Sequence, residues 1–345
     1  MKTMRSLWGK APFQFDLREL PVPNPAPEEV LVRVTACGIC GTDLHFLRHN
    51  AEWTPLGHEV VGVIAATGAR VERWREGDAV IVENHTACGV CAPCKNGRSL
   101  YCQNLTSYME DRAGFADYLR VRQDMVQSYD TQALAPQQAA LAEPLTVALD
   151  LLQRADPDLN DEVVVFGPGP IGLMVTRLAK LRGARRVFLV GSARSTPRGQ
   201  YRLQLGLQMG ADVVLSQAED DVVAAIKGAV PQGVQRVLVT APPRTLPLAF
   251  EIACFGGIIG LIGIEFGAGA AVTFDVNAFH FKKLQLRASH AIPNHYFPIA
   301  LDLLARRAID ADLLRSHTLP LDDFEKAFRT LADPQQATAK VVLMT

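Results

Sequence analysis

The chain has 345 residues, 35 Lys and Arg against 36 Asp and Glu, a formal net charge of −1 and 48% hydrophobic residues. That balance leaves no basic stripe to attract phosphate backbones, which excludes nucleic acid as a partner, and no apolar run approaches the roughly twenty residues of a membrane span. The length exceeds what one core usually serves and predicts two domains.

Residues 1–18 mix charges without a continuous apolar core, unlike a secretory signal, so a cytoplasmic, reducing setting is expected. The first 140 residues read as short strands, near 30–36, 60–66, 79–82 and 115–121, broken by Gly, Pro and Asp. The Pro-rich run 21–27 is a turn-rich connection between two of them. A barrel-like or irregular β domain follows from this pattern.

Within that stretch lie Cys37-Gly-Ile-Cys40-Gly-Thr42-Asp43-Leu-His45 and then Gly57-His58-Glu59, and just beyond it lies Ala142-Glu143-Pro144. Thiolate, imidazole and carboxylate are the donors zinc accepts, and a catalytic zinc takes three from protein and keeps one position open. Read singly, a histidine such as His58 is more often structural, and Glu143 is a residue that caps or precedes a helix starting near Leu145. Cys88, Cys91, Cys94 and Cys102 pack four of the seven cysteines into a single short run. Four thiolates close a tetrahedral site, so a zinc there stiffens a loop and does no chemistry. Disulfides are the other use of such a cluster, and a reducing setting favours metal.

From about residue 160 the pattern changes to strands near 163–166, 186–190, 212–215, 234–240 and 257–264, alternating with helix-length segments. This predicts a parallel, doubly wound sheet, an α/β architecture joined to the β domain. The first strand runs into Gly167-Pro168-Gly169-Pro170-Ile171-Gly172 and an apolar-periodic helix. In that context the glycines permit a tight turn and the approach of backbone to a pyrophosphate at the helix N-terminus. The second strand ends in Gly191-Ser192-Ala193-Arg194, without the Asp or Glu that usually holds the adenosine ribose. With no carboxylate there to repel it, a 2'-phosphate would pair with Arg194 or Arg198, and NADP is expected over NAD. The alternative is that both arginines are solvated and either cofactor is accepted.

Together these motifs resemble the zinc-dependent medium-chain alcohol and polyol dehydrogenase family, over nearly the whole chain. The resemblance implies a GroES-like catalytic β domain (1–150), a doubly wound Rossmann domain (151–286), and a return to the catalytic domain (287–345). It also implies a zinc in the cleft between the two domains. It puts Cys40, His58 and Glu143 on a catalytic zinc, with Glu59 as an alternate ligand and Asp43 behind a ligating histidine. The same resemblance makes Thr42 and His45 a proton relay, and Thr240 and Ala241 a border to the nicotinamide. Two zinc ions are implied, one catalytic and one structural.

The same family implies a small-molecule substrate. Polar and apolar residues at 46–47, 49–53, 83–85, 108–112 and 290 suit a sugar, polyol or hydroxy-amino compound. A simple alcohol dehydrogenase, a zinc-independent enone or quinone reductase, and a non-catalytic member are the alternatives. The ligand set Cys40, His58 and Glu143 stands against the last two. Relatives in this family assemble, so a homotetramer or homodimer is expected, with strand 257–264 as the candidate edge. Beyond residue 285, helices at 296–308 and 322–331 and a strand at 340–344 are expected.

Overall fold

In the computed structural model, which describes residues 2–345, the chain forms two compact units. One contains residues up to Thr146 with Ile292–Asp333 and Lys340–Thr345; the other contains Val147–Ala291 with Pro334–Ala339.

The first unit is built on a seven-stranded sheet whose central strand is Glu29–Gly38. Its alternating Val, Leu and Ala side chains are almost all buried, as a pleated strand packed into a core requires. Antiparallel neighbours are Glu59–Thr67 and Tyr118–Arg122 along its length and Lys340–Met344 at its end, where Val342 lies opposite Gly38. The strand Lys340–Met344 is in turn parallel to Arg315–Pro320. A smaller sheet of Gln14–Pro21, Thr3–Lys10 and Thr54–Pro55 accompanies it. One core joins Leu7, Val32, Val34, Phe115 and Phe328 from these elements. The helices expected after residue 285 occupy Phe297–Ala305 and Phe324–Ala332. Leu303 and Leu304 are buried on the first, whereas Ile299 faces outward.

The second unit holds a six-stranded parallel sheet in the order Val213–Ser216, Arg186–Gly191, Glu162–Phe166, Val234–Val239, Ala253–Leu261 and Gln285–Ala288. In chain order this is third, second, first, fourth, fifth, sixth, so the winding reverses between Glu162–Phe166 and Val234–Val239. Dinucleotides bind outside the carboxyl ends of strands at such a reversal. Every residue of Glu162-Val-Val-Val-Phe166 is buried, the continuous run expected of a strand covered on both faces. The sheet departs from expectation at its edge. Ala253–Leu261 is paired on both sides, and the edge strand is Gln285–Ala288, whose mixed polar sequence has no apolar run. Lys282 Nζ donates to the carbonyls of Phe250, Glu251 and Ala253 at the end of a helix.

Candidate active site

Cys40 is the N-cap of helix Gly41–His49, which follows directly from the central strand. Asp43, in the first turn, ties two segments together. Its Oδ2 accepts from the Cys40 amide at 2.9 Å, and its Oδ1 accepts from the Gly57 amide at 3.0 Å while lying 3.7 Å from His58 Nδ1. The carboxylate therefore fixes the thiol through the Cys40 amide and the imidazole through the amide of the preceding Gly57. Thr42 and His45 are three apart and share one helix face. Thr42 Oγ1 lies 3.7 Å from Cys40 Sγ, and the His45 ring stacks on His49 at 4.4 Å.

Glu59 begins the strand beside the central one and His58 immediately precedes it, and both are buried. Glu59 makes a buried ion pair with Lys340, a residue the sequence offered only as part of a closing strand. Lys340 Nζ also donates to the Ile39 carbonyl at 2.9 Å. Burial works against the ammonium, but the attraction of Glu59 outweighs it and raises the pKa of Lys340. Gly38 makes room for the pair, since a Cβ there would stand 1.9 Å from Glu59 Oε2.

The ligand atoms of Cys40, His58 and Glu59 lie within 4.8 Å of one another. Glu143 is not part of that cluster. It sits in the first turn of Ala142–Ala155, where its Oε1 accepts from Asn84 Nδ2 at 2.9 Å. Asn84 Oδ1 in turn meets His85 Nδ1 at 3.1 Å. Burial raises the Glu143 carboxyl to about 7, with His58 pulling the other way. At His58 burial opposes the charged ring, yet Cys40 and Asp43 prevail and raise its pKa well above the ordinary value. His58 Nδ1 and Glu59 Oε2 are buried without hydrogen-bond partners. Buried, unpartnered atoms of zinc-accepting type beside a thiol fit a bound cation.

Cys88, Cys91, Cys94 and Cys102 also lie within 4.8 Å of one another as free thiols. The Cys91 Sγ is 3.4 Å from that of Cys94 and 3.9 Å from that of Cys102, too far for a disulfide. Tetrahedral Zn–S bonds of about 2.3 Å place sulfurs about 3.8 Å apart, so the four fit that ion. Amides aim at the sulfurs: Cys88 N donates to Cys102 Sγ at 3.3 Å and Cys91 N to Cys88 Sγ at 3.4 Å. The amides of Gln103 and Cys94 lower the Cys91 thiol to about 6, and burial raises Cys94 to about 12.

In the second unit, Gly167 has φ +99°, and helix Pro170–Leu181 starts with Gly169 as its N-cap. A Cβ on Gly172 would lie 1.8 Å from the Gly167 carbonyl oxygen, so strand and helix meet only because it is absent. On Gly169 a Cβ would meet no protein atom within 4 Å. Neither packing nor conformation demands glycine there, and the open space beside a helix N-terminus fits a pyrophosphate. Thr240 Oγ1 fastens the turn, donating to the carbonyls of Phe166 and Gly167 at 2.8 and 2.9 Å, and the Ala241 amide donates to Phe166 at 3.0 Å. Ser192 and Arg194 follow the second strand, with the Arg194 guanidinium paired to Asp220. Arg198 lies in the first turn of helix Pro197–Gln208. Of the expected pocket residues, Leu47 and Tyr108 are core side chains, packed in the first unit's apolar cluster.

Family models match both parts of the chain: the alcohol dehydrogenase GroES-like domain over residues 26–130 and the zinc-binding dehydrogenase domain over 170–306. L-threonine 3-dehydrogenase of Pyrococcus horikoshii is 33% identical over 345 residues, covering 95% of this chain and 94% of that one. The chain belongs to the zinc-dependent medium-chain dehydrogenase family. This dehydrogenase is an oxidoreductase of the GroES-like plus Rossmann architecture. A Sinorhizobium meliloti 1021 structure bound to NADP superposes with TM-score 0.88 at 28% identity, covering 100% of both chains. An Escherichia coli CFT073 alcohol dehydrogenase, rspB, complexed with NADH, gives 0.89 at 28%, again over 100% of both. No helix among the described residues is long and apolar enough to cross a membrane.

Proposed function

We propose that this dehydrogenase moves a hydride between the secondary alcohol of a sugar, polyol or hydroxy-amino compound and a nicotinamide cofactor. The observation that carries this is the cluster of half-buried Cys40 with buried His58 and Glu59, and Glu143 at its side. The similarity to L-threonine 3-dehydrogenase over almost the full chain supports the hydroxy-amino end of the substrate range. Bound at the cluster, zinc would stabilise the substrate alkoxide, and the nicotinamide would take up the hydride.

The chain's own residues do the rest. Cys40, His58 and one carboxylate hold the metal: Glu143 once released from Asn84, or Glu59 once released from Lys340. Asp43 keeps thiol and imidazole in place through the Cys40 and Gly57 amides. Thr42 would take up the substrate hydroxyl proton as it gives up its own, and His45, one turn on, would receive the released proton and pass it to solvent. The four-cysteine lobe holds a second, structural zinc. In the second unit the Gly167–Gly172 turn seats the pyrophosphate. Ser192, Arg194 and Arg198 give NADP the preference over NAD, and Thr240 and Ala241 border the nicotinamide. We place the protein in the cytoplasm as a homotetramer, or failing that a homodimer. Copies would join through edge strand Gln285–Ala288 and the exposed Phe255, Phe266 and Phe281 of the same unit.

Metal content per subunit, with a screen of polyols, sugars and 3-hydroxy amino acids against NAD and NADP, tests this reading. Two zinc ions and turnover of a polyhydroxy or hydroxy-amino substrate are expected. One zinc and no dehydrogenase activity would overturn the catalytic assignment. Thr42→Val should lower turnover far more than cofactor affinity, and unchanged turnover where hydride transfer limits the rate would remove Thr42 from the relay.

A further inference from the structure

The second strand of the parallel sheet ends at Gly191, with no carboxylate of its own to meet an adenosine ribose. The structure brings one in from elsewhere. The loop after the third strand is zipped to the loop after the second, Gln217 N donating to Gly191 O and Ala218 N to Ser192 O, both at 2.9 Å. This sets Glu219 against residues 194–195. Its Oε2 accepts from the Arg194 amide at 3.0 Å and its Oε1 from the Ser195 amide at 3.2 Å, and the hydroxyl of buried Ser216 donates to it as well. Asp220 holds the Arg194 guanidinium and accepts from the Ser216 amide at 2.8 Å.

Two adjacent backbone N–H groups, a hydroxyl and a guanidinium make a seat for an anion, and here the chain's own carboxylates fill it. We propose that Glu219 is a specificity-determining residue of the nucleotide site, a tethered anion in the seat that the 2'-phosphate of NADP requires. Ribose hydroxyls of NAD donate to such a carboxylate, whereas a 2'-phosphate carries like charge and has to expel it. Glu219 is held in its ionised form, its carboxyl lowered to about 2 first by the Ser216 hydroxyl and then by the Arg194 amide. Arg194, the residue expected to welcome the phosphate, has to leave Asp220 to do so. Glu219 therefore limits whatever NADP preference Arg194 confers.

This inference rests on the reading that these loops hold the adenosine ribose, and the experiment separates the two. Dissociation constants of NADP and NAD are measured by titration calorimetry on the zinc-loaded wild type and on Glu219→Gln, an isosteric change at an exposed side chain. Glu219→Gln should tighten NADP about tenfold and weaken NAD by a smaller factor, moving the ratio of the two constants toward NADP. A ratio that stays put or moves toward NAD overturns the inference even if both cofactors bind. If neither binds wild type, the nucleotide-site reading falls and the inference with it. A wild type that prefers NAD refutes the NADP preference alone, and the shift in Glu219→Gln still decides the role of Glu219.

Discussion

The four-cysteine lobe and the buried centre around Cys40 both gather zinc-type donors in the same unit, yet they are assembled in opposite ways. The lobe takes its donors from one short stretch of chain, partly open to solvent, and orients them with its own amides. The buried centre collects Cys40, His58 and Glu59 from two separate segments, with Glu143 brought beside them from a third, and steadies these groups with Asp43, Asn84 and Lys340. A local cluster stands or falls with its own loop. A dispersed one is carried by the core, and its donors stay in place only while every buried charge is answered.

The comparison breaks most sharply at Cys40. Cys40→Ser should cut turnover roughly a thousandfold, several kcal/mol of barrier, while the thermal midpoint holds and zinc per subunit falls from two to one. Unfolding of this variant would mean that the core depends on the metal as the lobe does. Lys340→Met comes next. Removing the ammonium strands Glu59 in the interior, at about 3–5 kcal/mol of stability measured by denaturant unfolding. A loss under 1 kcal/mol would show that Glu59 has another partner.

Glu83, beside Asn84, tests the effect of burial without a ligand role. Burial lifts its carboxyl from 4.5 to about 7, with Gln127 opposing. The folded state thus keeps a proton that the unfolded state releases, so this group's contribution falls as pH rises from about 4.5 to 7. Glu83→Gln should remove that slope and add on the order of 3 kcal/mol above pH 7, visible in unfolding curves across that range. A slope identical to wild type would assign it to other groups. The smallest effect on turnover belongs to the lobe. Cys94→Ser should lose one zinc and expose residues 92–101 to proteolysis, with turnover of the intact chain nearly unchanged.

The same contrast explains what the sequence made legible. Four cysteines at short spacing announce their site without any fold, and Glu162-Val-Val-Val-Phe166 announces a buried parallel strand because burial on both faces leaves one apolar run. Cys40, His58 and Glu143 were readable only through the motifs around them. Lys340 was not readable at all, since it meets Glu59 across 281 positions and no local pattern records that pairing. Asn84 was visible as a polar residue but not as the partner of Glu143. The absent carboxylate after the second strand was legible, but Glu219 arriving from the third was not. Edge strand Gln285–Ala288 escaped because a half-exposed edge needs no hydrophobic run.

Among the glycines of the nucleotide turn, Gly167 and Gly172 are demanded by the protein, whereas Gly169 is demanded only by what comes to rest beside it. An alanine at that one position would therefore separate being folded from being loaded. Gly169→Ala is expected to keep a folded body while losing the nucleotide, which equilibrium unfolding and cofactor titration on the one variant would check. In a cell it would tell loss of catalysis apart from loss of the protein.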